Sequence, residues 1–221
     1  MDHVEQETPG SDAAPGALER WRAVPVAIAV DLDLEPGQVD PAIRPLLPPG
    51  RQPRLFGRAL TVRCQPPDFG AVLHAMDLVL PGEVLVIAAD GHAAHAMIGE
   101  ILGGHVRNRG GVGLVCDGAV RDVATLAGWR DFAVFTRHVT PRGPVGMELG
   151  AVNVPVTVGG VTVNPGDLVI GDDDGLVALS PAAIRDGIAR AEAKLAIEAE
   201  WASHLASGRL ARDIFGLPEL H

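Results

Sequence analysis

Residues 99–122 read GEILGGHVRNRGGVGLVCDGAVRD, and no other stretch constrains the chain as much. A helical pattern over residues 101–109 stops at Gly110-Gly111. The continuous apolar run 112–116 then reads as a buried strand. Asp117-Gly118 is turn chemistry, and Arg121-Asp122 follows at once. A helix feeding a buried strand in this way belongs to an α/β sheet, where ligands sit beyond the carboxyl ends of strands. Glu100 opens the preceding helix, with twenty residues between it and Arg121, and supplies a second carboxylate. From these residues alone an ordinary structural Arg–Asp ion pair is an equal alternative.

The rest of the chain fits an α/β domain. Residues 18–22 read as a short helix. Residues 24–30 are apolar but contain Pro25, so they suit an edge strand or a helix entry. The Pro- and Gly-rich stretch 36–53 reads as loop, with one helical turn near 42–46. Residues 56–64 alternate as a strand, and Asp68 is placed to cap a helix over 69–76. Residues 84–88 form a second buried strand, ended by Asp90-Gly91, and 92–98 read as loop or irregular helix. After Asp122 a short helix runs to about residue 127, followed by a strand at 132–135 and a Pro-containing loop at 140–146. Gly159-Gly160 between two Val-rich runs, 152–158 and 161–163, is a hairpin signal. Strands at 168–170 and 176–179 flank Asp172-Asp173-Asp174-Gly175. Ser180-Pro181 starts a long helix with an apolar stripe through Ile184, Ile188, Leu195, Trp201 and Leu205, and Gly208 stops it.

Composition narrows the function. The 221 residues carry a net charge of −10, which is not a nucleic-acid footprint. An anionic ligand would therefore need a local cationic pocket. Cys64 and Cys116 lie in strand-like runs without CxxC spacing and read as buried, reduced thiols. No apolar run approaches membrane-spanning length. Residues 1–17 are polar, acidic and rich in Pro and Gly, without the pattern of a signal peptide. They read as a disordered tail on a cytoplasmic protein, with residues 18–221 as a single domain.

The blocks VLVIAADG, GEILGG and GVGLVCDGAVRD, with the spacing Glu100-X20-Arg121-Asp122, resemble the RraA-like family. The resemblance runs from about residue 24 to 217, where RDIFGL is similar to the family's closing motif. That family includes metal-dependent 4-hydroxy-4-methyl-2-oxoglutarate aldolases and the regulator of ribonuclease activity A. The resemblance implies an α/β/β/α sandwich with a mixed sheet, related to swivelling phosphohistidine domains. It also implies a homotrimer, or a hexamer built from trimers, with sites at subunit boundaries. A class II pyruvate aldolase with oxaloacetate decarboxylase activity is the activity expected from it. A non-catalytic protein that binds and masks a ribonuclease is the alternative.

Both aldol cleavage and oxaloacetate decarboxylation leave a pyruvate enolate, so one stabilising site serves both. The electrophile can be a lysine Schiff base or a divalent metal. Lys194 is the only lysine and falls in the acidic C-terminal helix, which disfavours the first route. A hard cation, Mg²⁺ or Mn²⁺, needs only one or two carboxylates and keeps several waters. By resemblance, Asp122 binds the metal directly, Glu100 holds it through water, and Glu198 reaches it from the neighbouring subunit. Arg121 stabilises the enolate, and Gly99, Glu100, Ile101 and Leu102 grip the substrate carboxylate through backbone amides. Thr125 stands where aldolase members carry an acid three residues after the metal Asp. His92, His95 and His105 lack the pattern of a zinc site, and the Asp172–Asp174 run lacks that of a calcium loop.

Overall fold

The computed structural model describes residues 16–218. Residues 1–15 of the expected tail lie outside the described residues. The tail boundary moves, because Ala17 already opens a helix and is buried. In chain order the helices are α1 (Ala17–Arg20), α2 (Val26–Val30), α3 (Gly70–Ala75), α4 (Glu100–Asn108), α5 (Val123–Leu126), α6 (Pro181–Ala206) and α7 (Ala211–Phe215). The strands are β1 (Pro36–Gln38), β2 (Arg44–Pro45), β3 (Leu55–Arg63), β4 (Glu83–Ile98), β5 (Gly113–Val120) and β6 (Ala133–Val139). They continue with β7 (Ala151–Val152), β8 (Val156–Val158), β9 (Val161–Val163), β10 (Leu168–Asp172) and β11 (Gly175–Leu179).

A mixed sheet runs β1-β11-β10-β3-β4-β5-β6-β2, with β7 also on β3. Its centre, β3 to β6, is parallel, and both flanks are antiparallel. The alternation of side chains assigns the faces. On β4, Leu85 and Ile87 join Leu114 and Cys116 of β5 under α3 and α4. Val84, Val86 and Ala88 point the other way, where they meet Phe135 together with Val169, Leu176 and Ala178 of β10 and β11. The remaining face of β10 and β11 carries Leu168, Ile170, Val177 and Leu179 onto α2 and α6. The strands thus share one internal core, with a helical layer beyond each end. Trp21 is fully buried in the last cluster, and its indole N–H donates to the Ile184 carbonyl at 3.0 Å.

Several expectations hold. The Ser180 hydroxyl accepts from the Ala183 amide at 3.2 Å and Pro181 occupies the first turn of α6. The glycine pair at 159–160 joins β8 to β9. Asp172 accepts from the Val26 and Asp174 amides and is committed to its turn. Residues 24–30 take the helical alternative, with Pro25 just ahead of α2, where its missing N–H costs nothing.

Others need correction. Residues 92–98 are neither loop nor helix: β4 runs through them, with register shifts against β5 after Ala88. Asp90 and Gly91 have φ of 49° and 70°, a bulge within the strand and not its end. The loop expected over 36–53 contains β1 and β2 at the two edges of the sheet, and 42–46 is not helical. Both strands are very short and contain proline, which an edge tolerates.

Candidate active site

The chain turns from β4 into α4 at Gly99, and from β5 into α5 at Asp122. These are neighbouring parallel strands, so both turns open on the same rim of the sheet. Between them lies a cleft of about 370 Å³. Gly99, Ile101, Leu102, Arg121 and Asp122 all line it. Glu100 does not: its side chain is outside the lining, and it enters through its amide, which donates to Asp122 Oδ2 at 3.1 Å.

That bond explains the local backbone. Asp122 adopts a left-handed conformation, φ 59° and ψ 36°, uncommon for a residue with a Cβ. It does not cap its own helix. Its carboxylate instead reaches across to the N-terminus of α4, where backbone N–H groups and the helix dipole favour an anion. Oδ1 makes no hydrogen bond to the described residues. The first helical bond of α4 runs from the Gly103 amide to the Gly99 carbonyl at 2.9 Å. The amides of Ile101 and Leu102 therefore have no acceptor among the described residues and remain available to a ligand.

Arg121 is held by shape. A Cβ on Gly99 would stand 2.8 Å from Arg121 Cγ, and one on Gly143 would stand 2.6 Å from Nη1. Only glycine lets both backbones come so close. The one ionic contact of Arg121 is Nε to Asp122 Oδ2 at 3.5 Å, and its two terminal nitrogens have no partner among the described residues. The guanidinium fork is thus positioned and uncommitted, the state suited to grip an incoming oxygen pair.

The remaining walls escaped the sequence reading. Phe69 and Leu73 come from the α3 region, Ala96, Met97 and Ile98 from the end of β4, and Gly143 and Pro144 from the 140–150 loop. That loop is anchored by Asp68, whose carboxylate accepts from the amides of Gly70 (2.7 Å), Glu148 (3.1 Å) and Leu149 (3.1 Å). Burial works against the charged form of Asp68. The three N–H donors outweigh it and hold its carboxyl below the usual range. The expected cap is therefore a clamp between α3 and a loop about eighty residues away. Val145, Met147 and Leu149 of this loop, and Ile101 across the cleft, are large apolar side chains left exposed.

The competing chemistries fare differently. Lys194 ion-pairs with Asp31 at 2.9 Å and Glu198 at 3.6 Å, away from the cleft. The hydrogen bond to Asp31 raises its pKa, opposite to what an amine nucleophile requires. Glu198 itself sits on α6 and does not line this cleft. His92 Nε2 and His95 Nδ1 lie 3.1 Å apart and bond each other. No group of three His, Cys, Asp or Glu among the described residues could hold a metal. Both cysteines are buried and unpaired. Burial pushes the Cys64 thiol up to about 12 and raises Cys116 as well, so neither is a nucleophile. No helix among the described residues is long and apolar enough to cross a membrane.

Comparison with known proteins decides the lineage. Residues 25–178 match the family model described as "RraA-like: Aldolase/RraA". The chain belongs to the RraA-like family. It is 32% identical over 169 residues, 76% of this chain and 79% of its relative, to a Halalkalibacterium halodurans protein named "Putative 4-hydroxy-4-methyl-2-oxoglutarate aldolase". Among solved structures it is similar to an uncharacterized Pseudomonas syringae protein, with TM-score 0.79 and 25% identity, covering 93% of this chain and 99% of that one. It is also similar to the RNA-processing inhibitor RraA of Thermus thermophilis, with TM-score 0.62 and 28% identity, covering 70% and 92%. The RraA-like family thus supplies both an aldolase name and an inhibitor name, and the cleft has to discriminate between them.

Proposed function

We propose that this RraA-like protein is a divalent-metal-dependent pyruvate aldolase that also decarboxylates oxaloacetate. One observation carries the reading: the free fork of Arg121, the free amides of Ile101 and Leu102, and the Asp122 carboxylate converge on one cleft. A protein that only masked a ribonuclease would have no use for uncommitted donors held at such close quarters.

The amides and the α4 dipole bind the substrate carboxylate. Arg121 donates to the keto oxygen, where negative charge grows as the enolate forms. A preorganised donor of this kind lowers a barrier by about 3–4 kcal/mol. Asp122 fits a hard cation, because one of its oxygens is unengaged and such ions accept one or two protein carboxylates with water completing the shell. Mg²⁺ or Mn²⁺ held there would polarise the keto oxygen as a Lewis acid. Glu100 and, from a neighbouring subunit, Glu198 would orient its waters.

The exposed apolar residues at the cleft rim and along α6 and α7 support a homo-oligomer, a trimer or a hexamer, closed around this site. The order of the three clusters supports the helix–sheet–sheet–helix arrangement of swivelling phosphohistidine domains. The test is to mix the full chain with oxaloacetate and Mg²⁺ and follow pyruvate. Pyruvate release that stops on chelation, with the fold retained, is expected. Activity unchanged by chelation would remove Asp122 from its assigned role.

A further inference from the structure

Arg121 is a long side chain with much rotamer freedom to lose. Its ionic contact with Asp122, at 3.5 Å, is too long to fix it. Two glycines confine it instead, and they are not equally secured. Gly99 lies in the turn from β4 to α4, tied to the sheet, where the Arg121 amide donates to the adjacent Ile98 carbonyl at 3.1 Å. Gly143 lies in the 140–150 loop, which has no helix or strand of its own. A Cβ there would stand 2.6 Å from Arg121 Nη1, so the loop backbone is the wall on which the guanidinium rests. Where that wall stands depends on what anchors the loop.

The anchors belong to the same chain. The Arg142 carbonyl accepts from the Ala96 amide at 2.8 Å, and the Val145 amide donates to the Pro67 carbonyl at 2.9 Å. The Gly146 and Leu149 carbonyls accept from the Phe69 and Ala71 amides at 3.3 and 3.1 Å. Asp68 stands in the middle of this 67–71 stretch. Its Oδ1 accepts from Gly70 and Leu149, and its Oδ2 from Glu148. Gly146, at φ 95°, wraps so closely that a Cβ on it would overlap Oδ2. Hydrogen bonds to an ionised acceptor are roughly twice as strong as neutral ones, so this carboxylate is a firm fixed point. Asp68 is only 7% exposed, and a neighbouring subunit at the rim neither supplies nor replaces its bonds.

Resting on the enolate reading above, we infer that Asp68 is a positioning residue for the reaction: through the 143–149 backbone it sets where the Arg121 guanidinium stands. Asp68 itself is outside the cleft lining and acts through Arg121. Without its charge the loop loses its hold on the Glu148 and Leu149 amides, Gly143 recedes, and the fork leaves the place where the enolate oxygen forms. A misplacement of about 1 Å in such a group can cost on the order of 10² in rate.

The experiment is a double-mutant cycle on the Mg²⁺-loaded full chain, with pyruvate release from oxaloacetate counted per folded molecule. Asp68→Asn keeps the shape and removes the charge. Should it not fold, Asp68→Ser keeps an acceptor for the Gly70 amide and releases the loop. In the wild-type background kcat is expected to fall about tenfold to a hundredfold, with KM and the Mg²⁺ concentration for half-maximal rate within about twofold of wild type. In the Arg121→Lys background the same substitution is expected to cost less than about threefold, because the fork it positions is already gone. A merely structural aspartate lowers the rate by the same factor in both backgrounds. That result, or an unchanged kcat in the first background, overturns the positioning role alone. A raised Mg²⁺ requirement places the defect at Asp122 and overturns it as well. Absence of pyruvate release from the wild type overturns the enolate reading, and the positioning role falls with it.

Discussion

Two arginine–aspartate pairs lie near the ends of adjacent strands, and the chain treats them oppositely. Arg137 of β6 donates to Asp117 of β5 at 2.6 Å and to Asp40 at 2.7 Å. The other Asp117 oxygen accepts the Gly159 amide at 2.7 Å. The two side chains are only 18% and 9% exposed. Arg121 and Asp122 are 38% and 36% exposed, with a single contact at 3.5 Å. The first pair ties β5, β6, the 39–43 segment and the β8–β9 hairpin together, with Nε and Nη1 of Arg137 and both Asp117 oxygens engaged. The second keeps donors and an acceptor in reserve at a cleft. Residue type does not separate the two pairs; the number of unspent hydrogen-bonding groups does.

The sharpest break of this comparison is Arg121→Lys. It retains charge but loses the planar fork, so kcat for oxaloacetate is expected to fall on the order of 10²–10³ with an unchanged melting temperature. A variant as active as wild type would make the two pairs alike. Asp117→Ala should do the reverse. It leaves Arg137 Nε and the Gly159 amide without their acceptor, with Asp40 as the one remaining carboxylate on Arg137, and is expected to cost about 3 kcal/mol, at the low end for a buried pair. That corresponds to roughly 6–12 °C in a chain of this length, read by calorimetry. Pyruvate release per folded molecule should hardly change.

Asp122→Asn is intermediate. The shape survives but the anion does not, so the Mg²⁺ concentration for half-maximal activity should rise on the order of tenfold or more. Excess Mg²⁺ should rescue this variant and leave Arg121→Lys unrescued, since the latter's defect lies in the transition state. Equal rescue of both in a metal titration would merge their roles.

The smallest effect expected is on acid stability. The Ala42 amide first, and then Arg137, hold the Asp40 carboxyl below its ordinary value. A carboxyl lowered by folding stabilises above its unfolded pKa of about 3.9, and that contribution is lost as pH falls through the lowered folded value. Melting curves from pH 5 downward should therefore show a shallower acid limb for Asp40→Asn than for wild type. Parallel limbs would mean that Asp40 contributes nothing by its charge.

What was legible in the sequence follows the same division. The strand pattern around 84–88 and 112–116, the α6 cap and the rim carrying Arg121 and Asp122 are local, written in periodicity and turn residues. The continuation of β4 through residue 98 was not, because Asp90-Gly91 is chemically a turn and only the neighbouring β5 converts it to a bulge. The strands β1 and β2 are too short to have a period and exist through pairing with β11 and β6. The apolar lining of the cleft was invisible for a similar reason. Phe69, Leu73 and Pro144 are brought together by the amide bonds of Asp68 to Glu148 and Leu149, and no spacing announces a contact across eighty residues.

Gly99 and Gly143 give the cleft two unequal margins of tolerance. On the Arg121 side even one added carbon collides with the guanidinium side chain from either direction, so that half admits almost no single-step variation. On the Phe69 and Leu73 side the walls are half-buried side chains that can be exchanged for others of different size without moving the backbone. Descendants or engineered forms of this chain are thereby steered to vary the Phe69 and Leu73 side of the cleft and to leave the Arg121 side as it is.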